Sequence, residues 1–296
     1  MPTSNPCRAK DPTHCWKHGD QQGLQAQKLI VKALTNNKSG GYHISNEQLF
    51  TAPIKSFNSQ ALAKAIVSFA KKTEGIDEEK IKEAILFSTH VHRNDLRSNR
   101  KQYEKTPYIE HPLRNTVRLI RFGCTDQATL IASLLHDTVE DHPQEISDEF
   151  TNNKALTEEE ARENCFKYIS DTFGTETEAT VRGMSNPILP KYMASALRNK
   201  EYAIHVEDAI EDPRTCICKA SDFIDNAVGL YHNESSMSKE GIRRRATKYL
   251  PVCDIIQTRL ERDLIERKLP ISDEGLKKMI KQIKDGRVRL LSLLDN

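Results

Sequence analysis

Leu130-Ile131-Ala132-Ser133-Leu134-Leu135-His136-Asp137-Thr138-Val139-Glu140-Asp141 is the stretch whose reading decides the fold. Its first half is apolar on every face, which predicts a helix buried on all sides within an all-α core. Its second half places four ionisable groups at the end of that helix. His136 and Glu140 are four apart, as are Asp137 and Asp141, so each pair shares a face. Four such groups are costly to desolvate unless they are paired or bind a metal ion. Two other points of the chain carry matching side chains: Tyr108-Ile109-Glu110-His111-Pro112 and Lys219-Ala220-Ser221-Asp222. Two histidines and two aspartates at these points (His111, His136, Asp137 and Asp222) can close around one divalent cation. Neutral imidazole and carboxylate are the usual ligands of Mn, Fe or Zn ions.

The helical pattern extends on both sides. Pro112 suits the first turn of a helix running to about Phe122, with Gly123 placed to end it. The buried helix continues through Asp141 until His142-Pro143 stops it. Arg214 to Tyr231 reads as another buried helix, with Asp222 and Asn226 on one face. Gly241 to Asn296 is helical and charged, with a kink expected at Pro251. Amphipathic stretches at Leu24–Leu34 and Leu62–Phe69 predict helices within an otherwise polar N-terminal segment. The acidic run Thr157-Glu158-Glu159-Glu160 opens an inserted helix. No strand pattern of any length is present. The expected divisions are an N-terminal extension over 1–75, a catalytic unit over 76–262 and a helical segment over 263–296 that packs on it.

With 296 residues the chain can bury a sizeable core, and 29% charged residues suit a helix-rich soluble protein. A net charge of +2 gives no general affinity for nucleic acid. There is no long apolar run and no signal-peptide pattern, so no membrane contact is expected. Seven scattered cysteines form no disulfide framework and imply a reducing, cytoplasmic setting.

The ordered motifs resemble the hydrolase domain of the Rel/SpoT family, a branch of the HD-domain phosphohydrolases. The matching stretches are Thr106 to Leu113, Leu130 to Asp141, Asp212-Pro213-Arg214 with Lys219 to Asp222 and Asn226, and an echo from Arg243 to Leu260. The resemblance implies an HD-domain helical bundle with an added N-terminal segment and C-terminal helices. Carried over residue by residue, it makes His111, His136, Asp137 and Asp222 the ligands of one Mn²⁺ ion. Glu140 and Asp141 then match the acidic pair that orients and activates the attacking water. Arg100-Lys101 match an Arg-Lys pair at the pocket mouth, the arginine against a purine and the lysine facing phosphate. Asn226 matches an asparagine that contacts the nucleotide.

The implied activity is hydrolysis of guanosine tetra- or pentaphosphate, (p)ppGpp, releasing pyrophosphate and leaving GDP or GTP. The gap between Lys101 and Pro107 resembles that of the small alarmone hydrolases. With the chain ending at Asn296, no synthetase is expected. Asp225 departs from the family pattern, standing where His or Tyr is usual, and alters one wall of the pocket. Two other readings stay open: an HD-domain phosphatase acting on NADPH or another nucleotide, and a catalytically silent nucleotide-binding regulator. The partners that follow are the nucleotide, a second copy in a homo-oligomer, and a toxic alarmone synthetase if the protein serves as an antitoxin. Cys7, His14, Cys15 and His18 cluster without the spacing of a paired-cysteine zinc site. The remaining histidines, His90, His92, His142, His205 and His232, read as surface or packing residues.

Overall fold

The N-terminal caps set where the central helices begin. Asp126 accepts the Thr129 N–H at the head of one helix, and Asp212 accepts the Thr215 N–H at the head of another, with Pro213 in its first turn. Arg214 then pairs with the Asp126 cap at 2.9 Å. The two helix starts are thereby tied together, and their far ends come out side by side. The structure, a computed structural model, describes residues 20–35, 45–97, 106–227 and 238–295.

In chain order the helices are α1 (Asp20–Thr35), α2 (Asn46–Thr51), α3 (Ser59–Ala70), α4 (Glu78–Val91), α5 (Glu110–Arg121), α6 (Gln127–Leu135) and α7 (Thr138–Asp141). They continue as α8 (Pro143–Phe150), α9 (Glu158–Phe173), α10 (Thr175–Met184), α11 (Ser195–Ala209), α12 (Pro213–Asn226), α13 (Lys239–Glu266) and α14 (Asp273–Asp295). The protein is all-α, as expected, apart from one antiparallel pair of two-residue strands, β1 (Leu96–Arg97) and β2 (Thr106–Pro107). That pair joins the two ends of the segment carrying Arg100 and Lys101, which lie outside the described residues. The N-terminal Cys/His cluster and His232 lie outside them too.

α5 packs on α3, α6 and α12, and α6 packs on α4, α10 and α12. Every residue of α5 from His111 to Ile120 is buried, including Arg114, Asn115 and Arg118. One hydrophobic core runs from Ala26 in α1 to Leu293 in α14, so the terminal helices share it. α13 continues through Pro251, and Arg267 ends it in the left-handed region, with Asp263 accepting the N–H groups of Lys268 and Leu269. No helix among the described residues is long and apolar enough to cross a membrane.

One helix reading needs correction. The decisive stretch is two helices: α6 stops at Leu135, and α7 starts at Thr138 after a turn at His136-Asp137. The break turns the two ligand-type side chains inward together, which an unbroken helix would fan apart by about 100°. The Asp222 helix runs Pro213–Asn226 with Ala227 as its C-cap, and the rest of the stretch expected to Tyr231 lies outside the described residues.

α14 docks against the end of α5 through Gly275, where an added Cβ would lie 1.8 Å from the Phe122 carbonyl oxygen. Gly275→Ala is therefore expected to cost about 2–3 kcal/mol and to lower Tm by several degrees in thermal denaturation. An unchanged Tm would mean that α14 does not sit on α5 in this way.

Candidate metal centre

The N-terminal end of α5 meets the C-terminal ends of α6 and α12 at one end of the bundle. His111 opens α5, with its N–H bonded to the Tyr108 carbonyl. His136 caps α6, Asp137 follows it, and Asp222 comes from the last turn of α12. His111 Nε2 lies 2.9 Å from Asp222 Oδ1 and 3.6 Å from Asp137 Oδ2. His136 Nε2 lies 3.0 Å from Asp137 Oδ2 and 3.7 Å from Asp222 Oδ1. An ion with four bonds of about 2.1 Å in tetrahedral array needs ligand atoms about 3.4 Å apart, and these distances bracket that value.

The hydrogen bonds fix which nitrogen faces inward. His136 Nδ1 donates to the Ser133 carbonyl at 2.8 Å, and His111 Nδ1 donates to Asp225 Oδ2 at 2.9 Å. Both rings therefore present Nε2 to the carboxylates, the tautomer that suits a metal ligand. His136 Nε2 is buried and has no hydrogen-bond partner among the described residues. Burial opposes ionisation of Asp137 and Asp222, yet the imidazoles hold both carboxyls below the usual range. Burial also works to lower the His136 imidazole, but Asp137 and Asp222 raise it well above its ordinary value. The site thus calls for positive charge, and a divalent cation satisfies the same groups as a proton does. The donor set fits one divalent ion.

A second layer holds these groups in place. Asp225 is a buried carboxylate bonded to His111 and paired with Arg97, Arg114 and Arg118 at 2.9, 3.0 and 3.0 Å. Burial works to raise its pKa, but Arg114, His111 and Arg118 hold it well below the carboxylate range. Tyr108 donates its hydroxyl to Asp137 Oδ2 at 2.6 Å. Asn226 donates to Asp222 Oδ1 at 2.7 Å and accepts from Arg97, so its amide is turned onto a ligand-type carboxylate. Glu140 is held by the Asn186 backbone N–H and side-chain amide, all at 3.0 Å. The Asp141 side chain keeps part of its surface in solvent, while partial burial of its carboxyl with the neighbouring Asp137 and Glu140 charges pushes it up to about 7. Lys248 of α13 stands 4.4 Å from the centre of the Tyr202 ring, within electrostatic reach of Glu140 and Asp222.

Of the residues expected from sequence, His111, His136, Asp137 and Asp222 come together, with Glu140, Asp141 and Asn226 beside them. Tyr108, Arg97, Arg114, Arg118, Asn186 and Lys248 were missed. The signal for the arginines was present: Arg114 and Arg118 stand four apart on a helix that is otherwise buried. Asp225, read as a pocket wall, instead sits behind His111.

His92 and His142, read as packing, form a second cluster with Asp95. His92 Nδ1 lies 2.8 Å and His142 Nε2 2.6 Å from the same oxygen, Asp95 Oδ2. Against the lowering effect of burial, Asp95 and Glu145 raise His142 to about 10. The three side chains are of metal-ligand type, but His142 has a carboxylate on each nitrogen, Asp95 at 2.6 Å and Glu145 at 3.4 Å, so neither nitrogen is turned to an open position. His92 also packs on Tyr108, ring centres 4.8 Å apart, so the cluster supports one wall of the quartet.

The all-α bundle, with paired His and Asp side chains at the end of three helices, is consistent with a helical bundle of the HD type. No family model matches the chain. It is similar to the guanosine-3′,5′-bis(diphosphate) 3′-pyrophosphohydrolase of Aquifex aeolicus, 27% identical over 174 residues, covering 59% of this chain and 21% of that protein. It is also similar to the guanosine-3′,5′-bis(diphosphate) 3′-pyrophosphohydrolase MESH1 of Xenopus tropicalis, 48% identical over 67 residues, covering 22% of this chain and 35% of the relative. A GTP pyrophosphokinase of Myxococcus xanthus is 28% identical over 190 residues, 62% of this chain and 21% of that protein. The chain thus spans about a fifth of the Aquifex protein and about a third of MESH1. The resemblance to the Rel/SpoT-type hydrolases holds in these relatives.

Two outcomes follow from this geometry. Asp225→Asn keeps an acceptor for His111 but removes the charge, and is expected to weaken Mn²⁺ binding about 10–100-fold in calorimetry. Unchanged affinity would reduce Asp225 to a counter-ion for the arginines. Asp141 binds its proton more tightly folded than unfolded, so its cost to stability grows as pH rises from about 4 to about 7 and is constant above. In metal-free protein, Asp141→Asn is expected to raise Tm by a few degrees at pH 8, with the gain shrinking toward pH 4. A gain independent of pH would contradict this.

Proposed function

We propose that the chain is a metal-dependent (p)ppGpp 3′-pyrophosphohydrolase that uses His111, His136, Asp137 and Asp222 to hold one divalent ion, Mn²⁺ in the first instance. The observation that carries the reading is the convergence of these four donors, with both imidazoles presenting Nε2, directly beside Glu140 and Asp141. The names of the relatives supply the substrate. A bound divalent ion polarises a phosphoryl oxygen and makes a neighbouring water more acidic.

The chain's own residues do the rest. Glu140, locked by Asn186, orients the attacking water. Asp141, with a carboxyl near 7, takes its proton at neutral pH, where a general base works best. Tyr108 fixes the Asp137 carboxylate through its hydroxyl. Lys248 offers a positive charge to the substrate phosphates, joined by Arg100 and Lys101 at the mouth, while Asn226 contacts the nucleotide. Attack at the phosphorus on the 3′ oxygen releases pyrophosphate and leaves GDP or GTP. The set is hydrolytic, and no synthetase activity is assigned to it. Within the cell the reading places the chain in the cytoplasm, clearing the alarmone of the stringent response. Pairing with a toxic synthetase and self-association are partners consistent with that role.

Mn²⁺-loaded protein incubated with ppGpp is expected to yield pyrophosphate and GDP. Asp137→Ala is expected to abolish turnover, and Glu140→Gln to lower kcat by about 10²–10⁴ with little change in KM. Orthophosphate released from NADPH or another nucleotide, with ppGpp left intact, would favour a nucleotide phosphatase. Tight ppGpp binding without any product would make the protein a silent binder.

A further inference from the structure

A cavity of about 500 Å³ opens beside the metal centre, walled by α2, the end of α5, α12 and α14. It contains none of the four ligand-type residues. Arg118, Arg121 and Lys278 line it with one carboxylate, Asp225, and Lys278 also pairs with Glu274 of its own helix at 2.7 Å. That carboxylate is already shared among Arg97, Arg114, Arg118 and His111. Arg121 gives Nε and Nη2 to the Leu49 and Ala52 carbonyls, both at 2.6 Å, and no carboxylate among the described residues meets it. Arg118 stands one turn away on the same helix, so two like charges face one hollow. Burial and the nearby Arg118 charge both lower the Arg121 guanidinium. Phe50 stands at the mouth with half of its surface exposed.

Excess positive charge around a partly enclosed space is the arrangement that stabilises an incoming anion. Guanidinium groups suit phosphate oxygens, and an exposed aromatic ring suits a flat base. The volume matches that of small-molecule sites, commonly about 300–1,000 Å³. We propose that this cavity is a second site, separate from the metal centre, that binds a phosphorylated nucleoside. Its phosphates lie against Arg121, Arg118 and Lys278, and its base lies on Phe50. The site is coupled to the metal centre, because Arg118 touches the ligand on one side and Asp225 on the other, and Asp225 orients His111. An anion that draws on Arg118 leaves more of the Asp225 charge on the His111 ring. The proposal does not depend on which substrate the metal centre hydrolyses.

The test uses the full chain in EDTA, titrated calorimetrically with GTP and, separately, with inorganic pyrophosphate. Lys278 and Phe50 are exposed side chains, so Lys278→Glu and Phe50→Ala are expected to melt like wild type. GTP is expected to bind wild type and Asp137→Ala with affinities within about twofold of each other. Lys278→Glu is expected to weaken GTP and pyrophosphate alike by tenfold or more, and Phe50→Ala to weaken GTP alone. In the metal-free protein, GTP is also expected to shift the His111 ring signals by NMR, and Asp225→Asn to remove that shift. Absence of GTP binding in EDTA overturns the proposal. So does binding that survives Lys278→Glu but is lost in Asp137→Ala, since the nucleotide then sits at the metal centre. Binding that leaves the His111 signals in place overturns the coupling. Loss of ppGpp hydrolysis with cavity binding intact would refute the proposed activity and leave this site standing.

Discussion

A single buried carboxylate, that of Asp225, holds the working end of the molecule together. It joins α12 to α5 through Arg114 and Arg118, to β1 through Arg97, and to the metal centre through His111. Breaking a buried charge network by removing one partner commonly costs about 3–5 kcal/mol, because the remaining charges are left uncompensated. Here the network also does chemical work. It keeps the proton of His111 on Nδ1 and so leaves Nε2 for the centre.

The two His/Asp clusters show why residue type alone does not make a metal site. In the quartet each imidazole gives Nδ1 to an outside acceptor, Ser133 or Asp225, and turns Nε2 toward two carboxylates. In the other cluster both rings point at one oxygen of Asp95, and His142 meets carboxylates with both nitrogens. Both clusters draw positive charge onto an imidazole, His136 in the first and His142 in the second. They differ in that the quartet keeps Nδ1 of each ring on an outside acceptor, whereas His142 has a carboxylate on each nitrogen. The same types of side chain thus take different roles according to where the second nitrogen is spent.

Much of the helical layout was legible from apolar spacing and caps. α1, α3, α5 and α12 fall close to where Leu24–Leu34, Leu62–Phe69, Pro112–Phe122 and Arg214 onward placed them. The break between α6 and α7 was not legible. His136, Asp137, Thr138 and Val139 are weak helix formers, but the apolar spacing runs on through them, and that spacing alone does not place a turn. The four donors were readable because polar groups on an apolar helix need a reason, and the ordered motifs supplied it. The support behind them was harder to see. Asp225 was noticed as a departure from pattern, but its partners Arg97 and Arg114 lie more than a hundred residues away, and only packing brings them together. Asn186 lies in a loop with no sequence signal that it grips Glu140.

The central claim is that His111, His136, Asp137 and Asp222 hold one catalytic ion. Anomalous diffraction from Mn²⁺-soaked crystals tests it most directly. The account predicts a single strong anomalous peak within about 2.0–2.3 Å of His111 Nε2, His136 Nε2 and carboxylate oxygens of Asp137 and Asp222. A peak between His92, Asp95 and His142, with none at the quartet, would contradict it.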